Sequence, residues 1–138
     1  MKATVTRKSH FNSAHRLHNP LWTDEKNTHI FGKCANPNYH GHNYDLLVSI
    51  KGEIDTDTGY VVDLKLIDTL IKKEVIEKFD HKNLNLDVDF MLGKMTSTEI
   101  VAMQIWNQLE VEINKNNCIL HCIKLFETER NFVEYYGS

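Results

Sequence analysis

The chain has 138 residues, 41% of them hydrophobic, which suits one domain spanning 1–138 and is too short for two ordinary cores. Its 25% charged residues, six Gly and two Pro exclude a disordered, collagen-like or low-complexity chain. Sixteen Lys and Arg against nineteen Asp and Glu leave a formal charge of −3 with no basic cluster, which argues against nucleic acid as a partner.

Residues 3–8 alternate with a period of two and run into a polar stretch, 9–18, that carries His10, His15 and His18, so a first strand is expected to lead into a site. Residues 19–39 hold both prolines and no sustained period. A loop of that length inside a compact domain is expected to be functional. Residues 44–51 read as a second strand, and GEIDTDTGYVVD supplies the Gly and Asp chemistry of a hairpin turn. Leu64, Ile67, Leu70, Ile71, Val75, Ile76 and Phe79 predict an amphipathic helix over 64–79, broken by DHKNLN. Thr96 and Glu99 have the spacing of a capping box, opening a second helix through Ile100, Met103, Trp106, Leu109 and Ile113. Residues 119–127 alternate, with Ile119, His121, Ile123, Leu125 and Glu127 on one face and Leu120, Cys122, Lys124 and Phe126 on the other; 131–136 close as a short strand. The order places two helices on one face of an antiparallel sheet, an α+β arrangement. No stretch approaches about 18 apolar residues, and the first seventeen residues lack a long apolar core, so a cytoplasmic protein with no membrane partner is expected.

Eight His stand out, because His is the commonest metal ligand and the general base of neutral pH. His40 and His42 flank Gly41 at the entrance to a strand, so both side chains leave one face and can converge on an ion. His15, one strand away, offers a third imidazole; three neutral His with an open position is the arrangement of a catalytic zinc site. The same two His could instead be turn residues satisfied by backbone carbonyls. His10, His18 and His29 read as surface residues, and His121 as a core or interface residue. Cys34, in a Gly-, Asn- and Pro-rich loop, is the one cysteine placed for reactivity, as base or nucleophile, or else as a fourth metal ligand. Cys118 and Cys122 on one strand would lie about 13 Å apart, beyond disulfide reach, and a reducing compartment fits. Asp80 beside His81 can orient an imidazole for proton exchange with a thiol. Glu127 can accept two N–H groups from a guanidine-like heterocycle edge, or stand as a solvated strand-end charge.

FNSAHRL, FGKCANPNYHGHNY, GEIDTDTGYVVDL, FDHKNLNLDVDF, TSTEIVAMQIW and FETERNFVEYYG together resemble the 6-pyruvoyl tetrahydropterin synthase family from near residue 5 to the end. The resemblance implies that His15, His40 and His42 hold Zn2+, that the Cys34 thiolate abstracts a proton with Asp80 and His81 as partners, and that Glu127 anchors the pterin with Thr98 and Glu99 nearby. It implies a tunnelling-type fold, a four-stranded antiparallel sheet with two helices, three subunits closing a barrel and two trimers stacking as a homohexamer with sites between subunits. The substrate would be 7,8-dihydroneopterin triphosphate, converted to 6-pyruvoyl tetrahydropterin on the tetrahydrobiopterin route; Arg16, Lys33, Lys82 and Arg130 flank the motifs as basic groups for the triphosphate. The sister activity is 6-carboxytetrahydropterin synthase, on the queuosine route, which also releases acetaldehyde; the long 21–38 stretch resembles the pyruvoyl branch. Ala35 and Tyr39 depart from the family's more usual Asn and Gly. A non-catalytic zinc- or pterin-binding module is the third reading, against which the intact Cys34, Asp80 and His81 stand.

Overall fold

The computed structural model describes residues 1–138. Two long strands, β1 (Lys2–His15) and β2 (His40–Glu53), pair antiparallel in unbroken register from Lys2 opposite Glu53 to His15 opposite His40. Both run well past the expected 3–8 and 44–51, because the polar ends stay in the ladder without the apolar alternation that marks a strand in sequence. β4 (Cys118–Phe126) pairs antiparallel with β2, and β5 (Phe132–Tyr135) with β4.

The sheet is not the expected four-stranded antiparallel one. Lys82–Asn83, within the break after the first long helix, form β3, which lies parallel to β1 at Ser13 and Ala14. The result is a five-stranded mixed sheet in the order β3-β1-β2-β4-β5. A two-residue strand has no periodicity to read; only its tertiary neighbour creates it. GEIDTDTGYVVD returns no strand either. The Asp55 carboxylate accepts the N–H groups of Asp57 and Thr58, and the turn leads directly into helix.

The expected irregular segment 19–39 contains a helix, α1 (Asp24–Phe31), capped by Thr23, whose side chain accepts the Lys26 N–H. Its one buried residue is polar: Asn27 bonds Asn19 at both backbone groups and the Thr23 carbonyl. That is why no apolar period announces it. A 3-10 turn, Gly32–Ala35, follows and carries Cys34.

The helix expected at 64–79 is continuous but not uniform: α2 (Leu64–Ile71), a π-helical turn (Lys72–Ile76) and α3 (Glu77–Phe79). Its fully buried residues, Ile67, Ile71, Val75 and Phe79, recur every four positions. On a 3.6-residue helix that spacing drifts about 40° per step, and a wider turn absorbs the drift. In α4 (Thr98–Asn114) the buried stripe is Val101, Ala102, Ile105, Trp106, Leu109 and Ile113, rotated from the expected Ile100 and Met103, both only partly buried. Its N-cap is Ser97, not Thr96.

The expected faces of the last long strand hold only in part. Ser49 pairs with Cys122 and Ile50 with Leu120, so His121 is an extra residue in β4. This bulge flips the alternation at that point, bringing Leu120 into the core beside Ile123 and Leu125. Phe11, Tyr44 and Phe79 stack beneath the end of the sheet, with ring centroids 4.9 Å (Phe11–Tyr44) and 5.2 Å (Phe11–Phe79) apart. Burial of each Phe ring contributes about 1.5–3 kcal/mol, and this stack is the floor on which the candidate site rests.

Candidate active site

The β1–β2 register creates the site. His15 lies directly opposite His40, and His42 opposite Ser13, so the three His leave the helix-covered face as one cross-strand pair and its diagonal neighbour. Ring centroids are 4.6 Å (His15–His40), 5.1 Å (His15–His42) and 5.0 Å (His40–His42) apart, and one ligand atom from each lies within 4.8 Å of the others. Gly41 between them matters sterically, because a Cβ there would meet the Ser13 carbonyl at 3.3 Å and push the two strands apart where the imidazoles converge.

His15 is 1% exposed, and its Nδ1 sits 2.8 Å from the Thr96 carbonyl. A carbonyl only accepts, so Nδ1 donates and Nε2 keeps the lone pair that a metal needs. Thr96 is the residue the capping reading misplaced. Its side chain is buried away from the helix start, donating to the Arg16 carbonyl at 3.0 Å. Burial lowers the pKa of His15, against the opposing Thr96 hydrogen bond, and lowers that of His42, against the opposing charge of Glu127. Both rings are therefore neutral near pH 7. His15 Nε2, His40 Nδ1 and His42 Nε2 are all buried without a hydrogen-bond partner, a costly arrangement that a bound cation resolves. Three imidazoles with unshared nitrogens fit a divalent metal.

A titration follows from the direction of these shifts. The folded metal-free protein holds His15 and His42 less protonated than the unfolded chain, so stability is fully present above the ordinary His value and is lost as pH falls below 6.5. Asp55, Asp68 and Asp80, whose pKa values are lowered from 3.8, act in the same direction only at more acid pH. Thermal melts of chelator-treated protein are expected to show Tm falling as pH is lowered below 6.5; a Tm that stays flat there contradicts the buried, neutral assignment.

Glu127 stands just past β4 with one oxygen fixed, Oε2 accepting the Thr98 hydroxyl at 2.5 Å, and with Oε1 3.5 Å from His42 Nε2. Because His42 is neutral, this approach is not an ion pair. Thr98 and Glu127 are thus brought together beside the imidazoles, while Glu99, in the first turn of α4, is exposed. Tyr44 underlies the rings of His15 and His42, fully buried, with its hydroxyl unpartnered. Its role in the site carried no sequence signal beyond its place two residues after His42.

Cys34 is tied to the end of β1 through its backbone: its carbonyl accepts the Leu17 N–H at 2.7 Å. Asp80 and His81 lie elsewhere, along the edge of β1 away from β2. Asp80 Oδ1 accepts the Asn12 N–H at 2.9 Å, Oδ2 lies 2.9 Å from His81 Nδ1, and the His81 N–H is held by the Asn12 carbonyl at 2.7 Å. The Asn12 hydrogen bond is the main reason the Asp80 carboxyl titrates below its usual range. The His81 side chain is 82% exposed. Asn12 precedes His15 by three residues, about 10 Å along a strand, and no hydrogen bond joins the Asp80–His81 pair to Cys34 or to the imidazole cluster. One chain brings together His15, His40, His42, Thr98 and Glu127; it keeps the Asp–His pair apart.

A family model described as 6-pyruvoyl tetrahydropterin synthase matches residues 4–138. A 6-pyruvoyl tetrahydrobiopterin synthase of Pongo abelii is 40% identical over 99% of this chain and 93% of its own length. The 6-carboxy-5,6,7,8-tetrahydropterin synthase of Bacillus subtilis is 27% identical over 75% of this chain and 70% of its own. The structure of Caenorhabditis elegans 6-pyruvoyl tetrahydropterin synthase superposes with a TM-score of 0.94 at 35% identity, covering 100% of this chain and 97% of that one. The chain belongs to the 6-pyruvoyl tetrahydropterin synthase family.

Proposed function

We propose that this protein is a zinc-dependent lyase that converts 7,8-dihydroneopterin triphosphate to 6-pyruvoyl tetrahydropterin with loss of triphosphate. The observation that carries the reading is the trio of buried, unshared imidazole nitrogens of His15, His40 and His42, set beside a carboxylate fixed by Thr98 in a chain of this family. When bound there, zinc supplies Lewis acidity toward the side-chain oxygens of the substrate. The Cys34 thiolate takes a proton from the carbon chain of the substrate, and Asp80 holds the His81 imidazole for proton exchange. Glu127, oriented by Thr98, accepts the N–H edge of the pterin, with Glu99 at the rim of the same pocket. The conversion needs no outside oxidant or reductant. Loss of a proton and of triphosphate from the end of the side chain leaves an enol that becomes the methyl ketone, and the two hydrogens lost as the other carbinol becomes a carbonyl are taken up by the C=N bond of the dihydro ring.

In this reading residues 1–138 act as one cytoplasmic domain, three copies close a barrel and two trimers stack as a hexamer. The position of Asp80 and His81 on the far edge of β1 supports sites completed by a second copy. No helix is long and apolar enough to cross a membrane. Incubating zinc-loaded protein with dihydroneopterin triphosphate is expected to release triphosphate and give the pyruvoyl product by mass. A carboxypterin with acetaldehyde assigns the sister reaction instead, and no triphosphate release refutes both enzymes.

A further inference from the structure

Cys34 sits in a single 3-10 turn between a left-handed Gly32 and the Asn36–Asn38 loop, a segment too short to fix a reactive side chain by its own bonds. Two consecutive carbonyls of this turn are held from outside it. The Leu17 N–H donates to the Cys34 carbonyl at 2.7 Å, and the Arg16 guanidinium donates to the Ala35 carbonyl at 3.0 Å. The same guanidinium contacts His18 Nδ1 at 3.1 Å and lies 6.0 Å from the centre of the Tyr39 ring.

Arg16 is in turn held at its backbone. Its N–H donates to Asn85 Oδ1 at 2.9 Å, and its carbonyl accepts from Asn85 Nδ2 at 3.1 Å and from the Thr96 hydroxyl at 3.0 Å. Thr96 is also the residue whose carbonyl fixes the His15 ring. One residue thus stands between the strand end that carries a metal-binding imidazole and the turn that carries the thiol. We propose that Arg16 is a positioning residue, strapping the Cys34 turn to the His15 strand, and not a contact for the triphosphate. The proposal rests on the role given to Cys34 above.

Reactive groups displaced by about 1 Å lose about 100-fold in rate, which sets the scale of the test. Arg16→Gln is expected to lower kcat about 10- to 100-fold with KM within about threefold of the parent. Its zinc content should stay at the parent level. The rate at which iodoacetamide modifies Cys34, followed on its own peptide by mass, should change by at least about threefold, the scale of a shifted side chain. Arg16→Lys, which keeps the charge and most of the stem, is the conservative variant and should give kcat and alkylation rates between those of the parent and of Arg16→Gln. A raised KM with kcat intact would make Arg16 a substrate contact. Parental kcat and alkylation in the lysine variant, with no loss in the glutamine variant, would remove the strap altogether. Loss of zinc in either would place the role at His15 instead. If the parent releases no triphosphate the lyase reading fails alone, since alkylation and zinc content report on the strap without turnover.

Discussion

Cys34→Ala is expected to bind zinc at the parent level while losing about 10²- to 10⁴-fold in kcat, the usual contribution of a positioned acid or base. The imidazole trio is complete without sulfur, and three protein ligands with one open position define a catalytic rather than a closed structural site. The Cys34 turn reaches the end of β1 through the Leu17 and Arg16 bonds, which hold its carbonyls and leave the thiol available for chemistry. Metal analysis of the purified variant beside its steady-state kinetics decides the matter. A zinc content that falls with activity makes the thiol a fourth ligand and takes away its role as base.

The larger effect is expected at the imidazoles. His40→Ala or His42→Ala should strip the metal, with a loss of affinity beyond the about 10- to 100-fold typical of outer-shell partners, and turnover should vanish with it. His10→Ala is the control, since His10 lies on the exposed side of β1. Elemental analysis after dialysis against a weak chelator reads both outcomes. Full zinc occupancy in either of the first two variants removes the three-histidine site. The substitutions should not unfold the protein, because the Phe11–Tyr44–Phe79 stack beneath the site is untouched.

The clustering of the three histidines was legible because a strand has a side-chain period of two: His40 and His42 must share a face, and His15 needed only the antiparallel neighbour that β1 provides. Ile67, Ile71, Val75 and Phe79 were legible for the same kind of reason, as an apolar stripe. What escaped were features that depend on a partner distant in sequence. β3 is a strand only because Ser13 and Ala14 lie beside it, and α1 is held by a buried Asn27 that no hydropathy pattern marks. Thr96 had the spacing of a cap; its hydroxyl instead meets Arg16, eighty positions away, and Ser97 caps the helix. The His121 bulge likewise reverses a face assignment that strict alternation had made unambiguous. The positions of Cys34 and of Asp80–His81 along the chain said nothing of their relation in the fold, where one is tied to the end of β1 at Leu17, the other to Asn12, and no hydrogen bond joins them.

His81 has φ 59°, in the left-handed region where a side chain costs a backbone about 1–2 kcal/mol. Glycine would relieve that strain, yet it would delete the imidazole that Asp80 orients. If His81 exchanges a proton as proposed, the residue best for folding at this position and the residue best for the reaction are different. Histidine, among the few side chains that visit this region with any frequency, is the compromise. On that proposal, selection for thermal endurance alone would favour glycine here, and a relative that had lost His81 would be expected to keep the fold and lose the reaction.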